Sequence, residues 1–246
     1  MAPAGYGDRV EGLHAVTAAA LSGRVRKLWV EEGRERRPEI RRLIGSVGSA
    51  NVSMVRDVRQ MAETEAPQGL VAECTPLTPT PLDRLAVGHA ALVVLDHIED
   101  PHNVGAIARS ALAAGMTGMV ISSRRQAPLS AAAFKTAAGA LERFPVAVVG
   151  SIPEALTRLK SGGVWVVGLE SGAETSLFDL GLLTESVAIV VGAEGAGLSV
   201  LAAKRCDVLA AIPMVGDTES LNASVSAALA CFEIMRARRR ASGAPG

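Results

Sequence analysis

Ala91-Leu92-Val93-Val94-Leu95-Asp96, followed three residues later by Asp100-Pro101-His102-Asn103-Val104-Gly105-Ala106-Ile107-Ala108-Arg109-Ser110, decides how this chain folds. Five apolar residues in a row, closed by an aspartate, are strand-sized and too short for a helix. A strand apolar on both sides is buried on both faces, as in a parallel sheet. The second stretch changes period: Val104, Ile107, Ala108, Ala111 and Leu112 fall on one helical stripe, with Arg109 off it. Asn103 stands where a helix N-cap is expected. Gly105 and Ala113, one turn either side of Arg109, leave room beside its guanidinium, which suits a phosphate.

The same alternation continues outward. Strands are expected at 118–122, 145–149, 164–168, 187–191 and 208–212, and helices at 131–139, 153–160, 198–206 and about 220–239. This is an α/β chain with a parallel sheet covered on both faces. Upstream, a helix over 11–21, a strand at 27–30, a helix opened by Pro38 and a strand at 69–72 make a smaller α/β unit. Between them lies Thr75-Pro76-Leu77-Thr78-Pro79-Thr80-Pro81, whose alternating prolines suit an extended linker. The expected division is therefore 1–75, a linker at 76–87, and 88–246.

Composition excludes several classes. Of 246 residues, 49% are hydrophobic and formal net charge is zero, so any contact with nucleic acid must come from local basic patches. One candidate holds Arg24, Arg26, Lys27, Arg34, Arg36, Arg37, Arg41 and Arg42, broken by four glutamates; such a region is more often a solvated face than an RNA patch. Cys74, Cys206 and Cys231 are too far apart for a C-x-x-C metal or redox motif. The four histidines lack metal-ligand spacing, and no G-x-S-x-G elbow occurs. No apolar run is long enough to span a membrane, and Met1–Val10 lacks a signal-peptide core. A cytoplasmic protein is the expectation.

Two further stretches sit at carboxyl ends of strands, where open α/β sheets bind ligands. Val190-Val191-Gly192-Ala193-Glu194-Gly195-Ala196-Gly197-Leu198-Ser199 is a glycine turn between strand and helix. It is neither a Walker loop nor G-x-G-x-x-G, and Glu194 would repel a pyrophosphate. Ile212-Pro213-Met214-Val215-Gly216-Asp217-Thr218-Glu219-Ser220-Leu221-Asn222 ends a strand, turns, and opens a helix with small polar residues. That helix carries an apolar stripe of Leu221, Val225, Ala228, Leu229, Phe232 and Met235. Taken singly, each of the three stretches also reads as an ordinary capped helix or tight turn.

Together, in this order and with this internal spacing, the three stretches resemble the signature motifs of the SpoU branch of the SPOUT RNA 2′-O-ribose methyltransferases, nearest to those acting on guanosine of 23S ribosomal RNA. Ala137–Val146 also follows the family pattern, and Glu11–Val16 resembles the start of its small ribosomal-protein-like substrate-binding domain. The resemblance implies a C-terminal trefoil knot, a homodimer, S-adenosylmethionine as methyl donor and no metal. It implies cofactor contacts at Gly192, Ile212 and Leu221, with Leu169 a further position, and polar active-site roles for Asn103, Arg109, Glu194, Ser220 and Asn222. Methylation of transfer RNA, a catalytically silent ribosome-assembly factor and a nucleotide-binding enzyme acting on a small molecule are the competing readings.

Overall fold

The structure is a computed structural model that describes residues 5–124, 128–215 and 220–243. The chain divides into two compact units, one of residues 1–79, 104–109 and 128–143, the other of residues 80–103, 110–127 and 144–246.

In the first unit, β1 (Arg9–Glu11), α1 (Leu13–Leu21), β2 (Val25–Glu31), α2 (Pro38–Val47), β3 (Val52–Val55) and β4 (Leu70–Cys74) follow in order. They form a four-stranded sheet ordered β1-β4-β2-β3, with β4 antiparallel to both neighbours and β2 parallel to β3. Strand β1 and the pairing of β3 go beyond the sequence expectation, because three or four residues carry too little periodicity to register. Arg24 does not belong to a basic face. It is buried, and its guanidinium grips the Glu142 carboxylate (Nε–Oε2 2.7 Å) and the Gly7 carbonyl (2.9 Å). A buried guanidinium persists only with such partners.

The second unit contains α3 (Leu82–Leu85), β5 (Ala91–Leu95), the ends of α4 (Pro101–Ala113), and β6 (Gly118–Ser122). Helix α5 (Ala131–Ala137) counts with the first unit. The second unit then continues through β7 (Val146–Val149), α6 (Ile152–Ser161), β8 (Trp165–Leu169), β9 (Thr175–Ser176), β10 (Val187–Val191), α7 (Val200–Ala203), β11 (Val208–Ala211) and α8 (Ala223–Ala241). The segment expected as linker thus closes with a short helix. Leu82 and Leu85 of α3 are buried in a core shared with Leu92, Val94, Leu156 and Val190.

Seven strands form one parallel sheet ordered β7-β6-β5-β10-β8-β11-β9. Strands β5 and β10 are buried at every position, which explains their unbroken apolar runs. Strand β10 lies between β5 and β8, although β8 precedes it in the chain. The strand order therefore reverses here, and such a switch point opens a crevice at the carboxyl ends of the strands.

Helix boundaries moved for local reasons. Helix α4 begins at Pro101 and is capped by Asp100, whose Oδ1 accepts the His102 N–H at 2.8 Å. Asn103 therefore sits in the first turn and is not the cap. Gly105 does not open space beside Arg109: a Cβ there would lie 2.3 Å from the Ala133 carbonyl oxygen, so the glycine permits close packing on α5. Helix α7 covers only 200–203 of the expected 198–206. Helix α8 starts after Asn222, and it turns toward the core mostly small residues, Ala223, Ala227, Ala230 and Cys231, together with Glu233 and Ile234. The stripe singled out by size is the other one: Val225, Leu229 and Phe232 are 46%, 40% and 43% exposed.

Candidate active site

Four chain segments at the carboxyl edge of the sheet line one pocket: 169–171 at the end of β8, 191–197 at the end of β10, 212 and 214 after β11, and Ser220, Leu221, Ala223 and Ser226 at the start of α8. Leu169, Gly192, Ile212 and Leu221 all line it, as do Glu194 and Ser220. Gly192 is required there by backbone crowding. A Cβ at this position would lie 2.2 Å from the Gly197 carbonyl carbon and 2.5 Å from the Leu198 nitrogen. The turn folds back on itself through paired backbone hydrogen bonds, Ala193 N–H to Gly197 O (3.1 Å) and Gly197 N–H to Ala193 O (2.9 Å). Gly195 and Gly197 take φ of 73° and 65°, a region other L-residues resist.

At the rim, three polar side chains from distant parts of the chain meet. The Asn103 amide donates to Glu194 Oε1 at 2.8 Å. The Asn222 amide donates to Asn103 Oδ1 at 3.2 Å and to the same Glu194 oxygen. Asn222 also caps α8, its Oδ1 accepting from Ser224 N–H at 2.8 Å and Ser224 Oγ–H at 2.6 Å. Both functions of its amide are thus used, so Asn222 is fixed by the helix start while its Nδ2 reaches the rim. Glu194 and Asn222 are exposed, where a net hydrogen bond contributes only about 1 kcal/mol. The cluster is therefore a poor stability device and a ready ligand contact.

Arg109 is exposed on α4 and makes no hydrogen bond or ion pair among the described residues. The structure brings together Asn103, Glu194 and Asn222, sets Ser220 in the pocket lining and leaves Arg109 outside their network. The Gly216–Glu219 turn lies outside the described residues. Sequence reasoning missed Glu170, Ser171, Met214 and Ser226, which also line the pocket. Glu170 and Ser171 follow β8 directly, so their position at a strand's carboxyl end was the available signal.

The lining holds two carboxylates, Glu170 and Glu194, and no lysine, arginine or histidine among the described residues. Such a pocket disfavours phosphate and suits a neutral or cationic ligand. Apolar Leu169, Val191, Ile212, Met214 and Leu221 offer surface for a flat ring. No cluster of metal-ligating side chains occurs among the described residues, and no described helix is long and apolar enough to cross a membrane. Burial raises the Cys74 thiol to about 11 and those of Cys206 and Cys231 to about 12, so all three stay protonated and unreactive at neutral pH.

An open parallel sheet with a glycine turn, a carboxylate and an asparagine gathered at its switch point defines a ligand-binding α/β protein whose pocket is not built for phosphates. The chain belongs to the SpoU rRNA methylase family, whose model matches residues 90–232; a second model, for RNA 2′-O ribose methyltransferase substrate binding, matches residues 9–80. It is 36% identical to a 23S rRNA (guanosine-2′-O-)-methyltransferase of Pseudomonas aeruginosa, over 94% of this chain and 97% of that protein. It is 40% identical to an uncharacterized tRNA/rRNA methyltransferase of Synechocystis, over 94% of this chain. The chain spans 63% of the length of that relative, and 61% and 60% of two others. Among solved structures, the SpoU methyltransferase AviRb of Streptomyces viridochromogenes in complex with AdoMet is similar with a TM-score of 0.80 at 26% identity, covering 96% of this chain and 91% of that one.

Proposed function

We propose that this chain transfers a methyl group from S-adenosylmethionine to a ribose 2′-hydroxyl of ribosomal RNA, a guanosine of 23S rRNA being the first candidate. The observation that carries the reading is the phosphate-averse pocket with Glu194 held between Asn103 and Asn222 at its rim.

S-adenosylmethionine would supply an already activated sulfonium methyl, so the chain has only to bind, orient and neutralise charge. The residues fit it: Gly192, Ile212 and Leu221 would contact the adenosine through backbone, Leu169 would flank it, and the carboxylates of the lining suit a cationic ligand. Asn103 and Asn222 hold Glu194, and that triad would orient the acceptor ribose. Ser220 would add a hydrogen-bond donor. A guanidinium such as that of Arg109 is an implausible base. Its role would be to grip the RNA phosphate beside the acceptor and stabilise charge developing on the 2′-oxygen, while a phosphate oxygen or water takes the proton. Positioning alone can supply up to about 7–11 kcal/mol of barrier reduction.

A homodimer belongs to this reading. The Val225–Leu229–Phe232 face of α8 is an apolar stripe left partly exposed among the described residues, and a second copy would cover it. Arg109 would then serve the pocket of the partner copy. The trefoil knot is part of the same reading. Residues 1–75 would bind structured RNA, the linker at 76–87 would carry them, and the protein would work in the cytoplasm. No metal or membrane is called for.

The test is methyl transfer to ribosomal RNA with tritiated donor, followed by mapping of 2′-O-methyl groups. The wild type should label a single ribose. Arg109→Ala should lose transfer by at least about a hundredfold while retaining donor binding. Near-normal turnover of that variant would remove Arg109 from the mechanism, and labelling confined to transfer RNA would favour the second reading.

A further inference from the structure

We propose that His97 reads the base of the acceptor nucleotide, in a groove that shares its Glu194 wall with the cofactor pocket; the inference rests on the methyltransferase reading. His97 follows the buried end of β5 and holds φ of 60°, the left-handed region that glycine enters freely and other L-residues resist. Its ring is fixed as well. Nδ1 lies 2.8 Å from Oδ1 of Asp96, whose side chain is wholly buried. The other oxygen of Asp96 accepts the Ser199 N–H at 2.8 Å, on the far side of the glycine turn. A carboxylate only accepts hydrogen bonds, so Nδ1 carries the proton, and in that tautomer Nε2 is an acceptor. Nε2 has no hydrogen-bond partner among the described residues. A strained backbone and a clamped ring that presents one unpaired acceptor point to a ligand.

The groove that His97 lines tells which ligand. Its walls include Glu99, Asp100, Asn103 and Glu194, and among the described residues no lysine or arginine. Ala193, Glu194, Ala196, Gly197 and Ala223 are common to this groove and the cofactor pocket. An acceptor ribose presented to the pocket across that wall would place its own base in the groove. Carboxylates and an imidazole acceptor repel a phosphate and suit a group rich in N–H donors. Guanine offers two adjacent donors, N1–H and the exocyclic N2 amine, and enzymes that act on extruded nucleotides read that edge. Asp96 is a positioning residue: it aims the ring and ties it to the glycine turn.

The test uses the full chain with His97→Gly, which adopts the observed φ without strain, and His97→Asn, which tolerates it. Two probes are short single-stranded RNAs with one central guanosine or one inosine, which lacks the N2 amine; a third is a 23S rRNA transcript. The wild type should bind the guanosine oligonucleotide about tenfold more tightly than the inosine one, and His97→Gly should bind both equally. On the transcript, KM should rise about tenfold in His97→Gly with kcat and donor affinity unchanged. Equal guanosine preference in wild type and His97→Gly overturns the assignment, whether or not methyl transfer is seen. So does a loss that falls on donor affinity instead of RNA. A wild type that binds no donor would be the separate failure of the methyltransferase reading.

Discussion

Gly192 and Asn222 show how much single positions decide. A Cβ at Gly192 has nowhere to go, since its neighbours are backbone atoms 2.2–2.5 Å away. Gly192→Ala should therefore lower stability by at least about 1–3 kcal/mol and abolish donor binding, read by thermal melting and calorimetry. Asn222→Ala removes the α8 cap and should cost about 1 kcal/mol in a chemical-denaturation curve, together with a large loss of methyl transfer. A stability loss with full transfer would confine Asn222 to capping. The sequence pointed to both residues through small and polar types clustered at a strand end. It placed Asn103 as a cap, because Asp100-Pro101 and Asn103 are all good helix starters. What placed the cap was Asp100 accepting the His102 N–H, a choice among neighbours that spacing does not make.

Among the elements, α8 carries the sharpest difference between pattern and packing. Both of its faces are apolar, and hydrophobic periodicity favours the one with the larger side chains. The core took the alanine face, because small residues let the helix lie close to its neighbours. The leucine and phenylalanine of the other face remain exposed. Phe232→Lys should leave the melting temperature of the isolated protomer nearly unchanged and shift the protein from dimer to monomer in sedimentation. A wild type that sediments as a monomer would contradict the proposed dimer. At the C-terminal end, Arg238 donates to the carbonyls of Ala90 (2.7 Å) and His89 (3.3 Å), tying α8 to the start of β5. The βα alternation was legible because buried parallel strands must be uniformly apolar. The two-residue β9 and three-residue β1 were not, since pairing partners, not local pattern, define them.

For the molecule as a whole, the sequence announced an α/β chain with a parallel sheet, but strand order is set by long-range pairing. The insertion of β10 between β5 and β8 is not written in any local window. Folded-state burial also sets a pH limit. The thiols of Cys74, Cys206 and Cys231 are held protonated to about 11, 12 and 12, against an ordinary value of 9.0. Groups raised on folding contribute their stability below the unfolded value and lose it as pH rises toward the folded one. Melting temperature should thus be insensitive to these thiols below pH 9 and fall progressively above it; a triple Cys→Ala variant should show a shallower alkaline decline. Donor binding and methyl transfer would both depend on one pocket gathered at the carboxyl ends of β8, β10 and β11. Calorimetric titration of the purified chain with S-adenosylmethionine, and with its demethylated product, tests this most directly. Saturable binding that Gly192→Ala eliminates is the predicted result, and absence of binding to either molecule, with or without ribosomal RNA, would contradict it.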